Sequence, residues 1–140
     1  MIYLLDLNYT LVANSPKRGD PPIRPFIRQI EQEEYRQWLI ELLRPHKVIL
    51  ITARPNRYQD VTLARIKDKC GWEPMDAYFA EINSRPHMIK EHLLKTYILP
   101  KYGEDGSGYF GLESNPQTRA MYGRHGINAI RVTDQELMML

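Results

Sequence analysis

Ile2-Tyr3-Leu4-Leu5 is an apolar run without alternation, and it stops at Asp6. A strand wetted on one face alternates apolar and polar residues. A strand that does not alternate has to be covered on both faces, as in a parallel sheet packed between helices. Val48-Ile49-Leu50-Ile51 repeats the pattern and runs into Thr52-Ala53-Arg54-Pro55. Open sheets of this kind present their chemistry at the carboxyl ends of their strands. Asp6, with Asn8 and Thr10 just behind it, is therefore a candidate site.

The rest of the chain alternates between the two periodicities. Asn14 to Pro25 holds four prolines and several turn formers, which forbid a regular helix or a central strand. A loop of roughly 15 residues is longer than connections usually are. Its Lys17, Arg18 and Arg24, with Arg28 beyond it, suit either a solvated surface or a basic flap over an anion. Gln29–Leu43 reads as one helix with Ile30, Trp38, Leu39, Leu42 and Leu43 on one face, stopped by Pro45. Asn56 opens a helix to Cys70, ended by Gly71. Ala77–Ala80 is a short third strand. Pro86 starts a helix that carries His87, Lys90 and His92 and ends before Pro100. Tyr109–Leu112 is a fourth strand leading into Glu113-Ser114-Asn115-Pro116, and a helix follows to Arg124. Ala129–Val132 is a fifth strand. Thr133 and Glu136 form a capping box for a short last helix. Strand and helix alternating in this way call for an α/β architecture with a mainly parallel five-stranded sheet and right-handed crossovers. Residues 1–140 are expected to form a single domain.

The composition excludes several classes. No apolar run approaches the roughly 18 residues of a membrane span, so no membrane partner is expected. A formal charge of +2 does not by itself imply nucleic acid. The lone Cys70 excludes an internal disulfide and a cysteine-rich zinc site. It fits a reducing, cytoplasmic setting. Cys70 sits at an expected helix end with no base near it, which reads as structural.

Asp6, Thr52 with Arg54, Lys90, and Glu113 with Ser114 all end strands or lie near helix starts at one edge. Carboxylates, a hydroxyl and an ammonium at one edge are groups that phosphoryl transfer to a carboxylate would use, since it needs a nucleophile at a set position. Nucleophile and phosphate are both anionic, so a divalent cation must screen and orient them. Magnesium takes hard oxygens, usually one or two carboxylates with waters and phosphate. Asp6 and Glu113 can supply carboxylates. Thr52 and the backbone N–H groups after Asp6 can donate to phosphate, and Lys90 can neutralise the shared charge.

Asp6-Leu7-Asn8-Tyr9-Thr10-Leu11 resembles the first motif of the haloacid dehalogenase (HAD) superfamily, Asp-x-Asp-x-Thr/Val-Leu. The resemblance extends along nearly the whole chain and implies a three-layer Rossmannoid core. It implies that Asp6 is the nucleophile and a metal ligand, and that Asn8 lends its backbone carbonyl to Mg2+. It makes Thr52 the phosphate-binding residue of the second motif, Lys90 the lysine of the third, and Glu113-Ser114 the acidic pair of the fourth. Thr-Ala-Arg-Pro, Asn-Pro-Gln-Thr-Arg and His-Gly-Ile-Asn are similar to the phosphatase domain of phage-type polynucleotide kinase/3′-phosphatases. That likeness would make Arg54 a substrate-binding arginine.

The chain departs from the motif where proton transfer is performed. The family's second Asp is a general acid/base, and Asn8 cannot exchange a proton as a carboxyl group does; losing that function typically costs about 10²–10⁴-fold. Glu113 is a methylene longer than Asp, and Ser114 removes a charge from the metal shell. Three accounts follow: a slow phosphatase, a degenerate module that binds a phosphorylated ligand or nucleic acid, or an engineered trap. The double change at Glu113-Ser114 favours natural divergence. His46, His87, His92 and His125 are substitute proton carriers, with His87 or His92 nearest Lys90 in sequence. Neither the proline-rich loop nor Glu81–Arg85 is long enough to form a cap domain. An uncapped site is open to polymer ends, which points to nucleotide or polynucleotide phosphate ends as substrate. Such a site needs a second subunit or the basic loop to exclude water. Lys17, Arg18, Arg24 and Arg54 suit a phosphate backbone, and Tyr9, Tyr35 and Tyr58 suit base stacking.

Overall fold

A computed structural model describes residues 1–133 of the chain. Five strands form one sheet: β1 (Ile2–Leu5), β2 (Lys47–Pro55), β3 (Asp76–Ala80), β4 (Tyr109–Leu112) and β5 (Asn128–Ile130). They lie in the order β3-β2-β1-β4-β5, and every pairing is parallel. Parallel neighbours need crossovers, and helices supply them. These are α1 (Phe26–Glu31), α2 (Gln37–Leu43), α3 (Gln59–Cys70), α4 (Pro86–Leu93), α5 (Leu99–Tyr102) and α6 (Pro116–Arg124).

Successive strand residues point to opposite faces, and each face has its own core. Leu5, Val48, Leu50 and Leu112 pack with Leu39, Leu43, Ile66, Trp72 and Phe79 on the side of α2 and α3. Leu4, Ile49, Ile51 and Tyr109 pack with Ile89, Leu93, Ile98, Met121 and Tyr122 on the side of α4 and α6. The unalternating runs are thus buried on both faces of a three-layer, Rossmann-like α/β fold. Among the described residues, 13–25 and 81–85 carry no helix or strand, so neither forms a cap.

Several boundaries differ from expectation. Asn56 does not cap α3: a tight turn over Asn56–Tyr58 comes first, and the helix starts at Gln59. The single helix over 29–43 is two helices, α1 and α2. Between them Tyr35 bridges to Val12 antiparallel, the Ala13 N–H donates to the Glu34 carbonyl (2.7 Å), and the Arg36 N–H donates to the Leu11 carbonyl (2.8 Å). The turn after β1 claims the backbone groups that helix propagation would need. Pro100 does not stop the fourth helical segment. A widened turn over Leu94–Ile98 follows α4, and Pro100 then lies in the first turn of α5. There a missing N–H costs nothing. The last strand is Asn128–Ile130 rather than Ala129–Val132. The expected last helix lies outside the described residues beyond Thr133. The loop over 14–25, the stop at Gly71 (φ +60°) and α6 lie where the sequence puts them.

Candidate functional site

β1 is the central strand, and Leu5 stands in register with Leu50 of β2 and Leu112 of β4. That register places Asp6 beside Glu113 at the carboxyl edge. The Asp6 N–H donates to the Leu112 carbonyl (2.9 Å), and the Glu113 N–H donates to the Ile130 carbonyl (2.9 Å). The chain then turns sharply. Val12 N–H reaches the Leu7 carbonyl (2.9 Å), and Tyr9 sits at φ +62°. A left-handed tyrosine is uncommon. It is held by its N–H donating to Ser15 Oγ (2.8 Å) and its hydroxyl donating to the Pro16 carbonyl (2.5 Å). The start of the proline-rich loop is therefore anchored at the rim of the site.

Lys90 crosses from α4 into this edge. Its ammonium donates to Asp6 Oδ1 at 2.7 Å and to Glu113 Oε1 at 2.5 Å, and all three side chains are buried. Asp6 Oδ2 accepts from Thr10 Oγ1 (2.8 Å), Ser114 Oγ (2.8 Å) and the Ser114 N–H (3.3 Å). Glu113 Oε2 accepts from the Asn115 N–H at 3.0 Å. Burial alone would raise the Asp6 carboxyl; the Lys90 charge and the donors from Lys90, Ser114 and Thr10 outweigh it and hold Asp6 below its ordinary range. Burial likewise opposes the Lys90 charge, but Asp6 and then Glu113 outweigh it and raise the ammonium. Glu113 loses that contest. Burial outweighs Lys90, the Asp6 charge adds repulsion, and Glu113 is pushed up to about 6.

Local sequence explains why this turn holds. Asn115 caps α6 by accepting the Gln117 N–H (2.9 Å), and Pro116 opens the helix. From one turn on, Arg119 donates to the Glu113 and Ser114 carbonyls, each at 2.9 Å. The Asn-Pro-Gln-Thr-Arg segment is thus a clamp on the acidic turn.

Thr52 and Arg54 lie where β2 loosens. Ile51 pairs with Tyr78 and Pro55 with Ala80, so β2 carries extra residues against β3. Such irregularities often re-aim side chains beside sites. Thr52 is buried, and its hydroxyl accepts the Arg54 N–H (3.1 Å), which leaves its own proton to donate. Arg54, which the resemblance would make a substrate-binding arginine, is engaged by protein groups. Its guanidinium is buried in a two-pronged pair with Glu33 (3.0 and 2.5 Å), donates to Thr62 Oγ1 (3.0 Å), and lies 5.1 Å from the Phe26 ring centre. It also donates to Asn8 Oδ1 at 3.0 Å, so it orients Asn8. Glu33 was not a candidate from sequence. It stands in Glu31-Gln32-Glu33-Glu34, where nothing separates a buried acid from exposed neighbours.

The other expected participants fall elsewhere. Among the described residues no histidine bonds to Asp6, Asn8, Lys90 or Glu113. His92 bonds Glu81 (2.9 Å), His125 bonds Glu91 (2.8 Å), and His46 packs on Tyr3. Tyr35 is core, Tyr58 packs on Phe26, and Tyr9 is 54% exposed. Lys17, Arg18, Arg24 and Arg28 are exposed.

The donors suit a hard cation in kind but fall short in charge. Asp6 Oδ2, the Asn8 carbonyl and Ser114 Oγ are all oxygens, and Ser114 Oγ lies 2.8 Å from the first and 3.4 Å from the second. Only Asp6 brings a full charge there, because both Glu113 oxygens are engaged by Lys90 and Asn115. Among the described residues no three His, Cys, Asp or Glu side chains gather as a metal cluster. Glu113, expected as a cation ligand, is placed as the counter-ion of Lys90.

No protein-family model matches the chain, and no curated protein matches it. Among solved structures, a chain of the Pnkp1/Rnl/Hen1 complex is similar in fold, with a TM-score of 0.70 and 22% identity. The match covers 93% of this chain and 45% of that one, so this chain spans less than half of the solved chain's length. Among the described residues no helix is long and apolar enough to cross a membrane.

Proposed function

We propose that the chain is a HAD-type phosphohydrolase domain acting on the phosphorylated ends of nucleotides or polynucleotides, with slow turnover. The observation that carries this reading is the buried Lys90 ammonium joining Asp6 and Glu113 at the carboxyl edge of the central strand. It keeps Asp6 ionised without water, as a carboxylate nucleophile requires. Asp6 Oδ1 has one donor and Oδ2 has three, so Oδ1 is the oxygen with electron density to offer.

In the proposed reaction Oδ1 attacks phosphorus and the bond from phosphorus to the ester oxygen breaks. The leaving oxygen takes its proton from water, since Asn8 has none to give. Water then attacks the aspartyl-phosphate, its proton passes to solvent, and the bond from Asp6 to phosphorus breaks to release inorganic phosphate. Lys90 and Thr52 hold charge on the transferring group. A divalent cation held by Asp6 and the Asn8 carbonyl would supply screening between the two anions. The uncapped edge and the exposed cations of the neighbouring loop suit a polymer end.

A second reading, a module that binds phosphate without turnover, is favoured by one observation. Asn8 is locked onto Arg54, and among the described residues no acid or imidazole bonds it in the place of a general acid. Phosphate release from an aryl phosphate and from 3′-phosphorylated oligonucleotides separates the two. Release by this chain that is lost in Asp6→Asn supports the first reading. Release only after Asn8→Asp supports the second. Silence in both overturns the site itself.

A further inference from the structure

Ser114 Oγ touches both oxygens that a hard cation would have to bind. It is 2.8 Å from Asp6 Oδ2 and 3.4 Å from the Asn8 carbonyl. Its backbone N–H also points at Asp6 Oδ2, at 3.3 Å. One residue earlier, Glu113 faces Lys90 and the Asn115 N–H instead. Arg54 is neutralised by Glu33. The formal charge of Asp6, Lys90 and Glu113 together is that of one anion, and the only formal charge on the three oxygens is that of Asp6.

A divalent ion held by one carboxylate and the neutral Asn8 carbonyl is poorly compensated. Hard cations that lack protein carboxylates take the missing charge from substrate phosphate. We infer that Ser114 makes cation binding conditional on phosphate: its hydroxyl holds the cation's place on Asp6 and Asn8, and the cation enters only with the phosphate group. The inference rests on the proposed function, because it needs phosphate to bind beside Asp6. It assigns position 114 as the residue that sets metal dependence. An aspartate there would add the second carboxylate and remove the donor that competes for Asp6 Oδ2.

The coupling is reciprocal, so the factor by which phosphate tightens the cation must equal the factor by which the cation tightens phosphate. The test uses Mn2+, which favours the same oxygen ligands. Free Mn2+ is measured by its paramagnetic resonance signal, with inorganic phosphate alone as the control for complexes in solution. Phosphate binding is followed separately by calorimetry. The full chain is expected to bind Mn2+ at least tenfold more tightly with saturating phosphate than without it. Ser114→Asp is expected to bind Mn2+ without phosphate at least tenfold more tightly than the unaltered chain. Circular dichroism checks that the variant is folded, and the unaltered chain alone already decides the first point. Equal Mn2+ affinity with and without phosphate, while phosphate binds, overturns the inference and leaves the proposed function standing. No phosphate binding under any condition overturns both.

Discussion

Lys90 and Asp6 are 84 residues apart in the chain, and their side chains meet at 2.7 Å with both buried. Lys90→Met keeps the length of the side chain and removes the charge. Two carboxylates would then face each other without a counter-ion. Breaking a buried pair from one side costs about 3–5 kcal/mol. Urea denaturation should show that loss, and Asp6→Asn/Lys90→Met should cost less than the sum of the single changes.

Arg54 and Glu33 make a second buried pair, and its expected contribution is to stability. Arg54→Ala should lower stability by about 3–5 kcal/mol, because Glu33 is left buried and unpaired. Arg54→Lys should recover only part, since an ammonium cannot reproduce the two-pronged geometry. A variant that folds as stably as the original but loses affinity for phosphorylated oligonucleotides would contradict this placement.

The pH dependence of stability has a window set by Glu113. Its folded value of about 6 lies above the ordinary 4.5, so the folded chain holds more protons between those values. Its contribution is full below 4.5 and is lost as pH rises through about 6. Asp6 acts in the opposite sense. It is held below 3.8, so its contribution is present above that value and is lost as pH falls further. The urea midpoint should therefore decline as pH rises from 4.5 through about 6, and Glu113→Gln should flatten that decline.

Gly111 sits in β4 two residues before Glu113. A Cβ there would lie 2.9 Å from Ala129 Cβ and 3.0 Å from the Tyr122 ring. Gly111→Ala should cost about 1–3 kcal/mol, as overpacking typically does. Because β4 carries the acidic turn, the same variant should weaken phosphate binding, which thermal unfolding and calorimetry can separate.

Both-face burial made the architecture legible. Ile2–Leu5 and Val48–Ile51 carry no alternation because each face has its own core, and the polar residue after each run marks the edge where Asp6 and Thr52 stand. The placement of Lys90 and Glu113 beside Asp6 could be expected from their positions after β3 and β4. What the sequence could not convey was pairing between distant polar residues. Arg54 reads as a free cation until Glu33 is seen against it, and Glu33 is one of three glutamates in a polar stretch. The break between α1 and α2 was hidden because Trp38, Leu39, Leu42 and Leu43 keep helical spacing and no proline or glycine stands between Ile30 and Leu43. The bridge from Val12 to Tyr35 that causes the break is a long-range backbone pairing without a local signature.

On the proposed function, Asn8 would decide what accumulates. With an aryl phosphate the leaving group needs no proton from the enzyme, so the first step would run without a general acid, and the second, lacking its base, would be slowed by about 10²–10⁴-fold. The most direct measurement is acid quenching of the chain with an aryl phosphate, followed by peptide mass analysis. A phosphoryl group on Asp6 that builds up in this chain and clears in Asn8→Asp is the predicted result. A chain in which neither form carries phosphoryl on Asp6, or in which it sits on another residue, would contradict the account.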